Sequence, residues 1–286
     1  MERAPLDGDT RRAYDSRVRT FLAWLDGSGL DGDPLTDGHD RDFAVRDYKT
    51  HMKTVLGRTA NTVNAHLTAL DHFFTQLGLG PAIVRRDDAP KLAPRALDAR
   101  QQKRYLRAVE RRSHARDRAI GRLLFYSGLR IAELVALDDN DVPLSARKGK
   151  VIVRSGKGET SREVPLLDTT ARTSVTEWRT ERASWPGADS PALFLNRRGG
   201  RLSTRAVDQL MDELAADADI VDEAGALALS AHTLRHTLAT NLLRAGVDIV
   251  VVAEILGHAR LDTTRRYTLP TRADLEDAVS HLPSDQ

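Results

Sequence analysis

The sequence predicts a mainly α-helical protein with a small antiparallel β-sheet, divided into a helical N-terminal domain and a larger mixed α+β domain. Three observations predict it. Apolar residues recur at helical spacing through most of the 286-residue chain. Residues 142–166 change to short β-type runs around a Gly-rich turn. A segment with two prolines, mixed charge and little apolar content separates residues 1–86 from the rest. The length suits two domains.

Each element follows from its local pattern. From Thr10 to Leu25, Tyr14, Val18, Phe21, Leu22 and Leu25 form a helical stripe that stops at Gly27-Ser-Gly29. DGDPLTDG reads as a loop by its Gly, Pro and Asp content. A second helix is expected from Asp42 to Leu56, with Ala44, Tyr48, Met52 and Val55 on one face. Thr59 is placed to cap a third, through Val63, Leu67, Leu70 and Phe74 to Leu77. Residues 87–97 read as an extended linker, and residues 98–286 as the second domain. Its helices are expected over 99–111 and 114–126. Val151-Ile-Val153 and Glu163-Val-Pro-Leu166 are the β-runs. Helices resume over 169–184, 204–216, 233–245 and 248–256, with Gly246 and Gly257 placed to end the last two.

Composition narrows the chemistry. The chain has no cysteine, which removes disulfides, thiolate metal sites and cysteine nucleophiles. The polar start and the absence of a long apolar run predict a soluble, cytoplasmic protein with no membrane partner. Net charge is only +2. Residues 1–90 carry 12 basic against 14 acidic side chains, so the basic excess lies in the remainder. Only seven basic residues are lysine, which gives weight to any lysine in a suggestive place. Arginine suits bidentate phosphate contacts, although an arginine-favouring genome explains the same skew.

The candidate residues lie in separate segments. Arg130 follows Ser127-Gly128-Leu129 at the mouth of a short helix, with Glu133 one turn on. Residues three apart share a face, so Glu133 orients Arg130 or simply pairs with it at the surface. Lys157 sits in Ser155-Gly-Lys-Gly158 at the turn joining the β-runs, projecting into a site or into solvent. His232-Thr-Leu-Arg235-His236 opens a helix, and an arginine at a helix N-terminus is a ready anion site. The two histidines also resemble a metal pair, but the helical zinc motif needs a glutamate where Thr233 stands. His258 follows an apolar helix in Leu256-Gly-His258, and Tyr267 lies in DTTRRYTLP. A tyrosine hydroxyl, with an unperturbed pKa of about 10, is a poor nucleophile at neutral pH. It needs a base, a charge clamp on phosphate and an acid for the leaving oxygen. The arginines, histidines and Lys157 supply these types without a metal or other cofactor.

The order Arg…Lys…His-x-x-Arg…His…Tyr resembles the tyrosine recombinase (lambda integrase) family, in its Xer-type and simple integrase branch. Arg235 and His258 are 23 residues apart and Tyr267 follows nine later. The strings SGLRIAEL, GKG…R-x-VPL, HTLRHTLAT and LGHARLDTTRRYT carry the likeness. TRRAYDSRVRTFLAWL is similar to that family's helical core-binding domain, and PKLAPRALD to its linker. The resemblance implies a site-specific recombinase that cleaves and rejoins DNA through a 3′-phosphotyrosyl intermediate. It implies that Arg130, Arg235 and His258 hold the scissile phosphate, that His232 assists proton transfer at Tyr267, and that Lys157 protonates the leaving 5′ oxygen. Glu133 and His236 stand behind them. No metal, cofactor or small-molecule substrate is implied. The implied partners are double-stranded DNA with inverted half-sites and either copies of the chain, forming a tetramer on paired sites, or a related recombinase. The family often has a second lysine after GKG; Thr160 stands there here. A type IB topoisomerase-like enzyme and a non-catalytic DNA-binding protein of the same fold stay open, as does the role in DNA integration, chromosome partition or inversion.

Overall fold

The computed structural model describes residues 8–88, 96–145, 147–154, 161–222 and 225–257. The chain divides into two compact units, Met1–Lys91 and Leu92–Gln286. Among the described residues, no helix is long and apolar enough to cross a membrane.

Among the described residues, the first unit is three helices, α1 (Gly8–Asp26), α2 (Gly38–Thr54) and α3 (Ala60–Gln76). Their apolar stripes meet in a core of Phe21, Ala44, Val45, Tyr48, Met52, Val63, Leu67, Leu70 and Phe74. Phe21 is at its centre, edge-on to Tyr48 at 5.2 Å and to Phe74 at 5.9 Å between ring centroids; such T-shaped pairs satisfy the ring quadrupoles. Thr59 caps α3 as its sequence suggests. The start of α2 differs from expectation. The helix begins at Gly38, inside the segment read as a loop, because the Asp37 side chain accepts from the amides of His39 and Asp40. After α3 the chain runs back along the unit. The Arg41 guanidinium donates to the carbonyls of Leu79 and Gly80. The Asp87 carboxylate meets Lys49 at 2.7 Å and Lys53 at 3.0 Å.

The second unit is built on α5 (Ala115–Ser127), which packs against α4 (Ala99–Glu110), α7 (Thr169–Arg182), α8 (Thr204–Asp217) and α9 (Ala231–Arg244). Gly121 lets α4 and α5 approach closely: an added Cβ would lie 2.8 Å from Val109. The buried Tyr105 hydroxyl then reaches the Gly121 carbonyl at 2.9 Å. Trp178 on α7 is fully buried, and its indole N–H donates to the Leu193 carbonyl at 2.8 Å. Short α6 (Ile131–Ala136) follows α5, and α10 (Ile249–Leu256) packs on α9 through Ala239, Val252 and Leu256.

The two β-runs pair as expected. Strands β1 (Lys150–Val153) and β2 (Arg162–Pro165) are antiparallel, with Lys150 opposite Pro165 and Val153 opposite Arg162. Strand alternation sends Val151, Val153 and Val164 inward. Arg162 goes inward with them.

Candidate functional site

Arg130 is the N-cap residue of α6, with extended backbone just before the helix. Its backbone N–H donates to Glu133 Oε2 at 2.8 Å, and its Nη1 donates to Oε1 at 2.7 Å. The spacing of three thus produces an orienting pair. Arg130 Nη2 also donates to the Gly257 carbonyl at 3.1 Å.

Arg235 lies in the second turn of α9, a helix capped by Ser230, which accepts from the Thr233 amide at 3.1 Å. It is 2% exposed. Its Nη1 donates to the Gly128 carbonyl at 2.7 Å and its Nη2 to the Leu256 carbonyl. A buried guanidinium is costly unless hydrogen-bonded, and here two helix ends supply the acceptors. Gly128 ends α5 with φ +60°, and Gly257 ends α10 with φ +65°. Both are left-handed positions that favour glycine. At Gly128 an added Cβ would also lie 2.8 Å from Leu238 and 3.0 Å from Leu256.

Arg130 and Arg235 therefore converge. They are 105 residues apart in sequence, yet bind carbonyls of adjacent residues, Gly257 and Leu256. The C-terminal end of a helix carries partial negative charge, which favours cations there. The next residue in the chain is His258.

His232 and His236, one turn apart on α9, stand edge to face with ring centroids 4.0 Å apart. His232 is exposed and His236 half-buried. Among the described residues, no group of three His, Cys, Asp or Glu side chains is placed to share a metal ion. Lys157, His258 and Tyr267 lie outside the described residues.

Two further arginines flank the hairpin. Arg162 on β2 forks onto Glu133, Nη1 to Oε1 at 2.9 Å and Nη2 to Oε2 at 2.8 Å. Its Nε donates to the Ile255 carbonyl at 3.0 Å. Arg154, at the other foot of the hairpin, binds Asp141 through Nε at 2.7 Å and Asp138 through Nη1 at 3.1 Å. Sequence reading gave neither a role. For Arg162 a signal existed: a period of two places it on the face of Val164, which is buried.

Burial pushes the Glu133 carboxyl toward the neutral form. The hydrogen bond from Arg162, the Arg130 amide and the two guanidinium charges outweigh burial and hold it below the ordinary carboxylate range. Glu133 is thus an anion that binds two arginines at once.

Solved tyrosine recombinases share this architecture. XerH site-specific recombinase, in a post-cleavage complex with palindromic difH substrate, superposes with a TM-score of 0.76 at 22% identity, covering 94% of this chain and 79% of that one. XerA recombinase gives 0.57 at 26% identity, covering 98% and 94%. The phage integrase family model matches residues 95–273. The tyrosine recombinase XerC of Pelobacter propionicus is 33% identical over 273 residues, 92% of this chain and 85% of the relative. That of Chromohalobacter salexigens is 36% identical over 199 residues, 69% of this chain and 63% of the relative. The chain belongs to the phage integrase family and is a site-specific recombinase of the tyrosine class.

Proposed function

We propose that the Arg130–Arg235 cluster is the phosphate-binding part of a site that breaks and rejoins DNA through Tyr267. The observation that carries the reading is the convergence of these two guanidiniums on the end of α10, one residue before His258. Arginine forks match phosphate geometry, and preorganised charge is usually the largest catalytic term. In this reading Arg130, Arg235 and His258 hold the nonbridging oxygens. The Tyr267 hydroxyl, assisted by His232, gives up its proton and bonds to phosphorus. The 5′ oxygen leaves, taking a proton from Lys157. The products are a 3′-phosphotyrosyl bond and a free 5′ hydroxyl. Attack by the 5′ hydroxyl of a second strand reverses the step and reseals the DNA. Glu133 and His236 hold Arg130 and His232 in place. The cations present replace a metal. The DNA is a duplex with inverted half-sites. Exchange occurs in a tetramer on paired sites, formed by this chain alone or with a related recombinase.

The test is covalent trapping from genomic DNA of its host, in EDTA, followed by sequencing of the trapped duplex. The wild-type protein should give an SDS-stable adduct at one defined site. Tyr267→Phe should bind that site and give none. An adduct with the phenylalanine variant removes Tyr267 as nucleophile. Trapping without sequence preference supports the topoisomerase-like alternative, and strict dependence on a divalent metal returns the histidine pair to a metal role.

A further inference from the structure

We propose that Arg162 is a positioning residue of this site, a side chain that sets Arg130, the end of α10 and the foot of the Lys157 hairpin relative to one another. The inference rests on the reading of the site given above and deepens it. Three facts support it. All three nitrogens of the Arg162 guanidinium are used, two on the Glu133 carboxylate and one on the Ile255 carbonyl. Each Glu133 oxygen is shared: Oε1 accepts from Arg130 Nη1 and Arg162 Nη1, and Oε2 from the Arg130 amide and Arg162 Nη2. Arg162 also lies flat against Gly257, where an added Cβ would meet Nη1 at 2.7 Å and Cδ at 2.9 Å.

The consequence is mechanical. Arg162 follows Lys157 by five residues and opens β2, so its side chain fixes one foot of the hairpin. The same guanidinium fixes the carboxylate that aims Arg130. Through Ile255 and Gly257 it fixes the point where the chain leaves α10 toward His258. A buried ion pair is a poor source of net stability compared with apolar packing. A planar fork that no other side chain reproduces is a good source of geometry. Arg162 is 6% accessible, so it acts on phosphate only through the groups it holds.

The test uses the full chain and a nicked suicide duplex carrying the site recovered by trapping. Binding and single-turnover formation of the covalent adduct are measured separately. Arg162→Lys keeps the stem and the charge but loses the fork. It should bind the duplex as the wild type does and form adduct about 10²-fold more slowly, the scale of an ångström-sized misplacement. Glu133→Gln should show the same split. The double variant should be no slower than the worse single variant, because both act through one contact. A purely structural role would instead lower binding and the fraction of active protein, leaving the rate in bound complexes unchanged. Wild-type adduct rates for Arg162→Lys, or losses that multiply in the double variant, overturn the inference while leaving the Tyr267 reading intact. A wild-type protein that forms no Tyr267 adduct overturns both. Should the lysine variant not fold, Glu133→Asp replaces it: Arg162 remains, the carboxylate arm is one methylene shorter, and the same slow adduct formation with retained binding is expected. Normal rates there overturn the inference equally.

Discussion

Glu133 is held between opposing influences. Burial favours its neutral form, while Arg162, the Arg130 amide and both guanidinium charges favour the carboxylate and prevail. Its folded pKa is therefore depressed from the ordinary value of 4.5. A depressed carboxylate contributes stability that is present above the unfolded pKa and is lost as pH falls through the folded one. Glu133→Gln should destabilise the catalytic unit at pH 7 by on the order of 3 kcal/mol, because it leaves the buried Arg162 without its counter-charge. Urea denaturation at a series of pH values should show the gap between variant and wild type constant above pH 4.5 and closing below it. A gap that widens in acid contradicts the assignment. The pairing of Arg130 with Glu133 was legible in the sequence, since residues three apart at a helix start lie on one face; the spacing does not decide whether the pair orients Arg130. The fork from Arg162 was not, since Arg162 is 29 residues away on a strand.

Helix ends, more than helix bodies, bring these arginines together. The end of α5 supplies the Gly128 carbonyl to Arg235, and the end of α10 supplies Ile255, Leu256 and Gly257 to three arginines. Both ends need a left-handed residue, and both have glycine. Gly128→Ala adds a Cβ at φ +60°, against Leu238 and Leu256. The strain and crowding together should cost about 2–3 kcal/mol, seen as a lower urea midpoint with unchanged slope. An unchanged midpoint would mean that α5 and α10 pack differently at this point. Apolar periodicity and capping residues foretold most helices, including the Thr59 cap and the Gly257 stop. The start of α2 was missed because Pro34 and two glycines hid the cap at Asp37, which only its contacts with His39 and Asp40 reveal.

At the scale of the molecule, we propose that residues 271–282, beyond Tyr267, bear on assembly. Residues 271–282 lie outside the described residues. Their sequence places Ala273, Leu275, Val279 and Leu282 at helical spacing, an amphipathic pattern. Resemblance to the recombinases implies that such a tail docks on a neighbouring protomer and couples their activities. A chain truncated after Pro270 should then bind a single half-site normally and fail in cooperative binding and strand exchange. Gel shifts on one and two half-sites, with a recombination assay on paired sites, check this. Full-rate recombination by the truncated chain sinks the assembly proposal.

Local physics made much of this protein legible in advance. Periodicity gave the helices, two short β-type runs around a Gly-rich turn the hairpin, and the order of Arg, Lys, His, Arg, His and Tyr the family. These properties depend on residues within a few turns of one another, or on a pattern that needs no coordinates. Tertiary structure alone decided which acceptors the arginines use. Arg130, Arg162 and Arg235 reach successive carbonyls at the end of one helix from three separate segments, between 21 and 127 residues away in sequence. No local preference encodes such a meeting. It follows from how α5, α9, α10 and the hairpin pack together, where each guanidinium needs acceptors and the open end of α10 provides them.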